Sequence, residues 1–79
     1  MIRFRIRELM AEKAFVENRR ISLEEISQAT GVNRTTLSKM INTRGYNTTV
    51  ENLDRLCQFF QCSLGELAEY VALPREVDA

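Results

Sequence analysis

The amino-acid sequence predicts an all-α fold, built as one compact domain of five helices over residues 1–79. A chain of 79 residues is long enough for a single small core. The hydrophobic fraction of 44% and the charged fraction of 28% are typical of a folded, water-soluble domain. Apolar residues recur at helical spacing along most of the chain, and Ser, Thr or Asn precedes each of the last four helices.

The first helix is expected over roughly residues 5–18, where the apolar residues follow helical spacing. Residues 2–6 alternate Ile, Arg, Phe, Arg and Ile. This period of two also fits a short N-terminal strand at an edge of the fold, so a strand is the alternative there. The helix is expected to bury Ile6, Leu9, Met10 and either Ala14 or Val16.

Capping residues place the other four helices over residues 22–30, over 34 to about 43, from about 50, and after 63. In a capping box a Ser or Thr precedes a Glu by three residues, and each side chain satisfies a free backbone N–H of the first turn. This pattern occurs at Ser22 and Glu25, at Thr48 and Glu51, and at Ser63 and Glu66. The apolar spacing of the last two helices is formed by Leu53, Leu56, Cys57 and Phe60, and then by Leu64, Leu67, Ala68 and Val71.

Residues 23–42 fit the helix-turn-helix pattern, in which two helices cross at an angle around a short turn. Ser27 is small where the second helix has to pass closely. Gly31, four residues later, can take the left-handed conformation that ends the first helix of the pair. Val32 and Leu37 are expected to fill the angle between the helices. This spacing, together with two further helices, makes the assignment specific.

Over about residues 5–73 the sequence resembles the lambda-repressor-like, Cro-type (xenobiotic-response-element) helix-turn-helix regulators. RIREL is similar to the first helix of that family, SLEEISQATGVNRTTLSKMIN to the next two, and VENLDRLCQFFQCSLGEL to the last two. The resemblance implies a lambda-repressor-like fold. It also implies that the protein binds double-stranded operator DNA and regulates transcription, most simply as a repressor.

The sequence departs from the family pattern at two places. Leu23 stands where the family often has a Gln that contacts a phosphate. About six extra residues, in the stretch AFVENRRI, lie between the first and second helices. They either lengthen the first helix or form a basic loop, in which Arg19 and Arg20 contact DNA or are only solvated.

Helix geometry, without the resemblance, predicts which face of the third helix meets a partner. At about 100° per residue, its apolar residues define a buried side and leave a polar side opposite. The buried side consists of Leu37, Met40 and Ile41, and the polar side of Thr35, Ser38, Lys39 and Asn42, flanked by Arg34. Such side chains can bind base edges in the major groove: Arg or Lys binds guanine, Asn binds adenine, and a Thr methyl contacts thymine. We therefore expect base reading by Arg34, Thr35, Ser38 and Lys39.

The loop NTRGYNTT, residues 42–49, consists almost entirely of hydrogen-bonding residues. The resemblance implies that this loop and the start of the fourth helix bind the sugar-phosphate backbone. Polar loops and helix starts do bind phosphate, although polar residues also fill most loops that have no ligand. The expected DNA-backbone contacts are Asn33, Thr36, Asn42, Thr43, Arg44, Tyr46, Asn47 and Thr48.

The charge distribution favours a polyanionic partner although the formal net charge is zero. Residues 1–22 and residues 31–47 each carry a net +3, whereas the residues from 51 onward carry −4. The third helix also has Thr36 where a capping box would place Glu. A carboxylate at that position would lie beside DNA phosphates, which dominate affinity. Neutrality by chance is the alternative explanation.

Other functions find little support in the sequence. It contains no His, no pair of acids isolated among apolar residues and no Gly-rich phosphate loop, so we expect no enzyme activity and no cofactor. Cys57 and Cys62 are too few and wrongly spaced for a structural zinc site, and we interpret them as buried reduced thiols. Without a run of about 18 apolar residues or a signal-peptide pattern, we expect no membrane partner and a cytoplasmic location.

The expected assembly is a homodimer on an inverted repeat. Phe59 and Tyr70 lie off the core-facing stripes, and they either form a dimer patch or are ordinary partly buried residues. Two alternatives to a free-standing regulator are an antitoxin that binds a toxin protein as well as DNA, and a helix-turn-helix used only as a protein-interaction scaffold.

Overall fold

The structure is a computed structural model that describes residues 1–72, and the polar tail expected at 74–79 lies outside them. Short strands at the two ends of this region flank the five helices. The elements are β1 (Ile2–Phe4), α1 (Ile6–Glu17), α2 (Leu23–Thr30), α3 (Arg34–Asn42), α4 (Val50–Phe60), α5 (Leu64–Leu67) and β2 (Ala68–Tyr70). The five-helix fold and the short N-terminal strand are thereby confirmed. None of the described helices is long and apolar enough to cross a membrane.

One hydrophobic core joins the helices, and every element from α1 to α5 contributes to it. Burying these apolar side chains is the main favourable contribution to folding. On α1, Ala14 is half-buried and packs on the core, whereas Val16 is 75% exposed, so the inward residue is Ala14. The buried members are Ile6, Ile21, Ile26, Val32, Leu37, Met40, Leu56 and Leu67.

The turn of the helix-turn-helix has the expected geometry. Gly31 has φ +80° and ends α2, and its N–H donates to the carbonyl of Ser27 at 2.8 Å. The hydroxyl of Thr30 donates to the carbonyl of Ile26 and accepts from the N–H of Val32. These three hydrogen bonds satisfy polar groups of the turn, and Val32 is 1% exposed in the angle between α2 and α3.

Two of the three expected capping boxes form their first hydrogen bond, in which the Ser hydroxyl accepts from the backbone N–H three residues later. Ser63 and Glu66 form the complete capping box of α5. At α2 only the bond from the Glu25 N–H to Ser22 forms, because the Glu25 carboxylate binds Arg19 instead. The complete box expected there is therefore wrong in its second half.

At α4 the expected box of Thr48 and Glu51 is wrong. The capping residue is Thr49, whose hydroxyl accepts from the N–H of Asn52 at 3.0 Å. The Thr48 hydroxyl accepts from the Asn52 side chain at 3.1 Å, and Glu51 binds Arg55. The helix begins one residue later than the box predicts, and in this arrangement both threonine hydroxyls accept hydrogen bonds from Asn52.

The expected continuation of the fifth helix through Ala68 and Val71 is also wrong. The helix α5 is one turn long, and the chain then forms β2, which pairs antiparallel with β1. The backbone N–H of Val71 donates to the carbonyl of Met1 at 2.8 Å, and the backbone N–H of Arg5 donates to the carbonyl of Leu67 at 2.7 Å. This pairing satisfies backbone N–H and C=O groups of both strands. A longer α5 would leave those groups of β1 without partners.

The buried side of α3 leads to a stability prediction. Leu37 is 0% exposed, so Leu37→Ala removes buried methyl groups and leaves a cavity, at an expected cost of about 2–5 kcal/mol. Thr35→Ala, at an exposed position of the same helix, is the matched control and should change stability by less than about 0.5 kcal/mol. Urea unfolding followed by circular dichroism measures both. Equal losses for the two variants would contradict the orientation of α3.

The turn glycine leads to a second prediction. An alanine at position 31 would have to adopt the positive φ of Gly31, which is unfavourable for a residue with a Cβ. That Cβ would also lie 3.1 Å from the Arg55 guanidinium. Gly31→Ala should therefore lower stability by about 1–2 kcal/mol. Gly65 is the control, since it lies within α5 and the nearest atom to an added Cβ is 4.0 Å away. Gly65→Ala should be neutral or slightly stabilising in the same urea unfolding experiment, and a Gly31→Ala variant as stable as the parent would contradict the assigned turn.

Candidate nucleic-acid interface

The two sides of α3 differ as the helix geometry predicts. Leu37 and Met40 are buried, and Ile41 is half-buried against the core. Arg34, Thr35 and Lys39 are exposed on the other side, whereas Ser38 is half-buried. The four candidate base-reading residues, Arg34, Thr35, Ser38 and Lys39, thus lie on the polar side of α3, which we call the α3 face, and three of them are exposed.

The start of α3 carries a cap without a carboxylate. The side chain of Asn33 accepts a hydrogen bond from the Thr35 N–H at 2.7 Å, and the first turn contains no acidic residue. However, Glu24 of α2 lies 3.8 Å from Arg34, between Oε1 and Nη1. Both side chains are exposed, so the attraction is weak, but it reduces the positive charge at this end of α3. A carboxylate is thus absent from the helix start yet present beside it.

At the other end of α3, the side chain of Asn42 is bonded on both sides. Its Nδ2 donates to the Ser38 carbonyl at 3.0 Å and contacts the Ser38 hydroxyl at 3.3 Å. Its Oδ1 accepts from Nη2 of Arg7, which lies on α1, at 3.2 Å. Asn42 is exposed, but its amide groups already have protein partners.

The loop that follows α3 turns only some of its polar residues outward. Thr43, Arg44 and Asn47 are exposed. Tyr46 is half-buried and packs against the core, and the hydroxyl of half-buried Thr48 accepts from Asn52. The outward set is therefore smaller than the set expected to contact the DNA backbone.

The loop also rests on the N-terminal strand. Gly45 has φ +67°, and a Cβ built there would lie 3.5 Å from Sδ of Met1. A groove of about 330 Å³ between β1 and the end of α3 is lined by Phe4, Met40 and Arg44, among others. Met1, the residue before β1, therefore lies against the loop next to the exposed Arg44.

The extra residues between α1 and α2 lengthen the helix and form a short loop. The helix α1 extends to Glu17, and Asn18 ends it in the left-handed conformation. Arg19 binds Glu25 through both terminal nitrogens, at 2.8 and 2.7 Å, and Glu17 at 2.9 Å. These bonds raise the pKa of Arg19 and lower the pKa of Glu25 below its ordinary value. Arg19 is thus paired with carboxylates at this loop, and both Arg19 and Arg20 are exposed.

The two aromatic residues outside the core stripes have different surroundings. Phe59 is half-buried, with its ring perpendicular to that of Phe60 at 5.0 Å and the Lys13 ammonium 5.0 Å from its centroid. Tyr70 on β2 is 73% exposed and lines a groove of about 490 Å³ with Leu64 and other residues. Phe59 thus packs partly within the domain, and Tyr70 belongs to an open apolar surface.

The cysteines are free thiols and are half-buried rather than fully buried. Burial raises the pKa of Cys62 to about 11, and the neighbouring Cys57 adds to this effect. The Cys62 thiol is therefore protonated at neutral pH. Within residues 1–72 no group of three or more His, Cys, Asp or Glu residues is arranged to hold a metal ion.

Sequence reasoning did not find the contact of Arg7 with Asn42 or that of Glu24 with Arg34. Arg7 and Asn42 are 35 positions apart, and no periodicity relates them. The pair of Glu24 and Arg34 also joins two different helices across the turn.

Comparison with known proteins identifies the family of this arrangement. A family model for the Cro/C1-type helix-turn-helix DNA-binding domain matches residues 5–72, from the residue before α1 to the end of the described region. A search of curated proteins and a search of solved structures each gave no significant match. The match covers the helix-turn-helix and the helices on both sides of it, and it confirms the family expected from the sequence. The chain therefore belongs to the Cro/C1-type helix-turn-helix DNA-binding domains, a family that binds DNA and regulates transcription.

Proposed function

We propose that this protein is a sequence-specific transcription repressor that inserts α3 into the major groove of an operator. The observation that carries the proposal is the α3 face, which is polar or cationic and lies opposite the fully buried Leu37. The major groove is about 12 Å wide and admits an α-helix. A helix that is anchored on one side and hydrophilic on the other fits this role.

The chemistry of the α3 face supports base reading. Lys39 and Arg34 can donate to guanine N7 and O6, and the Thr35 methyl group can contact the thymine methyl. Thr35 and Lys39 lie one turn apart, so they can reach neighbouring base pairs. Since Glu24 is close to Arg34, we assign the stronger base contact to Lys39.

We assign the DNA-backbone contacts to the start of α3 and to the loop after it. Asn33 and Thr36 lie at the helix start, where N–H groups and the helix dipole favour phosphate. Exposed Thr43, Arg44 and Asn47 offer further donors. Tyr46 and Thr48 are turned inward, so we propose that they shape the loop rather than bind phosphate through their side chains.

A homodimer is part of the proposal. One domain of this size covers a single half-site, and two-fold dimers of helix-turn-helix domains bind half-sites about one helical turn apart. The groove lined by Ile2, Leu64 and Tyr70 supplies an exposed apolar surface, which agrees with self-association.

Substitutions on the α3 face test whether it is the reading surface. Lys39→Ala should weaken binding to an operator selected from random duplex DNA by about 1–3 kcal/mol if Lys39 contacts guanine. Thr35→Glu should abolish specific binding, because it brings a carboxylate against the groove, while the neutral Thr35→Gln separates this charge effect from side-chain size. Gel-shift titration measures affinity, and thermal melting should show no change beyond about 0.5 kcal/mol.

A Thr35→Glu variant that binds as tightly as the parent would remove α3 from the reading role. It would then favour the protein-interaction scaffold.

The footprint tests the dimer. We expect protection of two half-sites whose centres are roughly 10–10.5 base pairs apart, related by an inverted repeat. Sedimentation of the free protein and of the complex gives the number of copies bound. Protection of one half-site by one copy would contradict the dimer and leave the reading role of α3 intact.

A further inference from the structure

The cations of the described region fall into two groups. In residues 1–72, Arg3, Lys13, Arg19, Arg34 and Arg55 each lie within 4.0 Å of a carboxylate. The cations without such a partner in this region are Arg5, Arg7, Arg20, Lys39 and Arg44. Three of them, Arg7, Lys39 and Arg44, lie within about one helical turn of Asn42, at the end of α3.

Arg7 is held in place by a neutral group. Its Nη2 donates to Oδ1 of Asn42 at 3.2 Å, and Asn42 is itself fixed by donating to the carbonyl of Ser38 at 3.0 Å. The network thus runs from α1 through Asn42 to the α3 face. Because an amide carries no charge, it orients the guanidinium without neutralising it.

We propose that Arg7 binds a DNA phosphate at the edge of the groove that α3 enters, and that Asn42 positions it. The inference rests on the proposed function, since it requires α3 to face the DNA. A guanidinium has five N–H donors, of which the Asn42 contact uses one. The remaining donors of exposed Arg7 can bind phosphate oxygens in pairs, the geometry for which arginine is suited.

The position of Arg7 fits a backbone contact rather than a base contact. Arg7 belongs to α1, and its hydrogen bond to α3 is made with the last residue of that helix. A side chain beside the reading helix lies where the sugar-phosphate backbone borders the groove. The two ends of α3 then differ, since Glu24 reduces the charge at the start and Arg7 adds charge at the end.

The inference also gives Asn42 a positioning role. Both polar groups of its side chain have protein partners, so its effect on DNA binding should act through Arg7. Loss of Asn42 and loss of Arg7 should therefore weaken binding by less than the sum of the separate effects.

The test is the salt dependence of binding, measured by fluorescence anisotropy on the selected operator duplex. If each subunit of a dimer neutralises about four phosphates, log K against log[salt] should have a slope near −7 for the parent. Arg7→Ala should bring the slope about 1 unit closer to zero per subunit and weaken binding roughly tenfold per subunit at 0.1 M salt. Arg7→Lys should keep the parent slope, because it keeps the charge.

The matched control is Arg5→Ala, which removes the same charge two residues away. Arg5 forms no ion pair in the described region, but the other charged residues that line its cleft are Glu8, Glu12 and Glu66. These carboxylates disfavour a phosphate there, so the loss of Arg5 should leave the slope nearly unchanged. Equal effects of Arg5→Ala and Arg7→Ala would show a general effect of net charge and would overturn the proposal. Asn42→Ala should weaken binding in the parent and have little further effect in Arg7→Ala, and full additivity would overturn the positioning role.

The failure of this inference can be distinguished from the failure of the proposed function. A parent that binds with a steep salt slope and an Arg7→Ala variant with the same slope and affinity would overturn the role of Arg7 alone. A parent that binds no duplex at low salt would overturn both. Arg7 is exposed, so thermal melting of Arg7→Ala should match the parent.

Discussion

The close packing of α3 on α2 is the constraint on which the rest of the structure depends. Ile26 and Leu37 are completely buried and Val32 is almost so, so the apolar contact between the two helices is closed to water. A rotation of α3 by one residue, about 100°, would bring a polar side chain such as Ser38 into that apolar contact. The packing of the core therefore fixes the orientation of α3 and determines which of its side chains are exposed.

The internal ion pairs determine where the surface remains positive. Arg19 forms ion pairs with Glu25 and Glu17, and Arg3 forms one with Glu69. Exposed pairs of this kind contribute little to stability. Their larger effect is on the electric field, since they pair five of the ten cations in residues 1–72 and leave three unpaired ones, Arg7, Lys39 and Arg44, near the end of α3. A chain with zero net charge can in this way present a cationic surface to a polyanion.

Local sequence signals were sufficient for the helix-turn-helix and insufficient where distant segments meet. Gly31, Val32 and Leu37 could be assigned because each acts within a few residues of its neighbours. Residues 64–71 have helical spacing, but hydrogen bonds to β1 outweigh that preference after Leu67. The exposed face of α3 followed from periodicity alone. The contact of Arg7 with Asn42 did not, because the fold and not the spacing brings α1 to the end of α3.

The antiparallel pairing of β1 with β2 ties together segments about seventy positions apart, as the bonds between Met1 and Val71 show. Closing so long a loop has an entropic cost that is recovered only after the intervening helices have packed. These strands should accordingly form late in folding and open early in local unfolding, ahead of the core. Because Met1 lies against the loop at Gly45, such opening would loosen the loop while α2 and α3 stay folded. The mobility of the loop after α3 would then depend on whether β1 and β2 are paired, although both strands lie outside the helix-turn-helix.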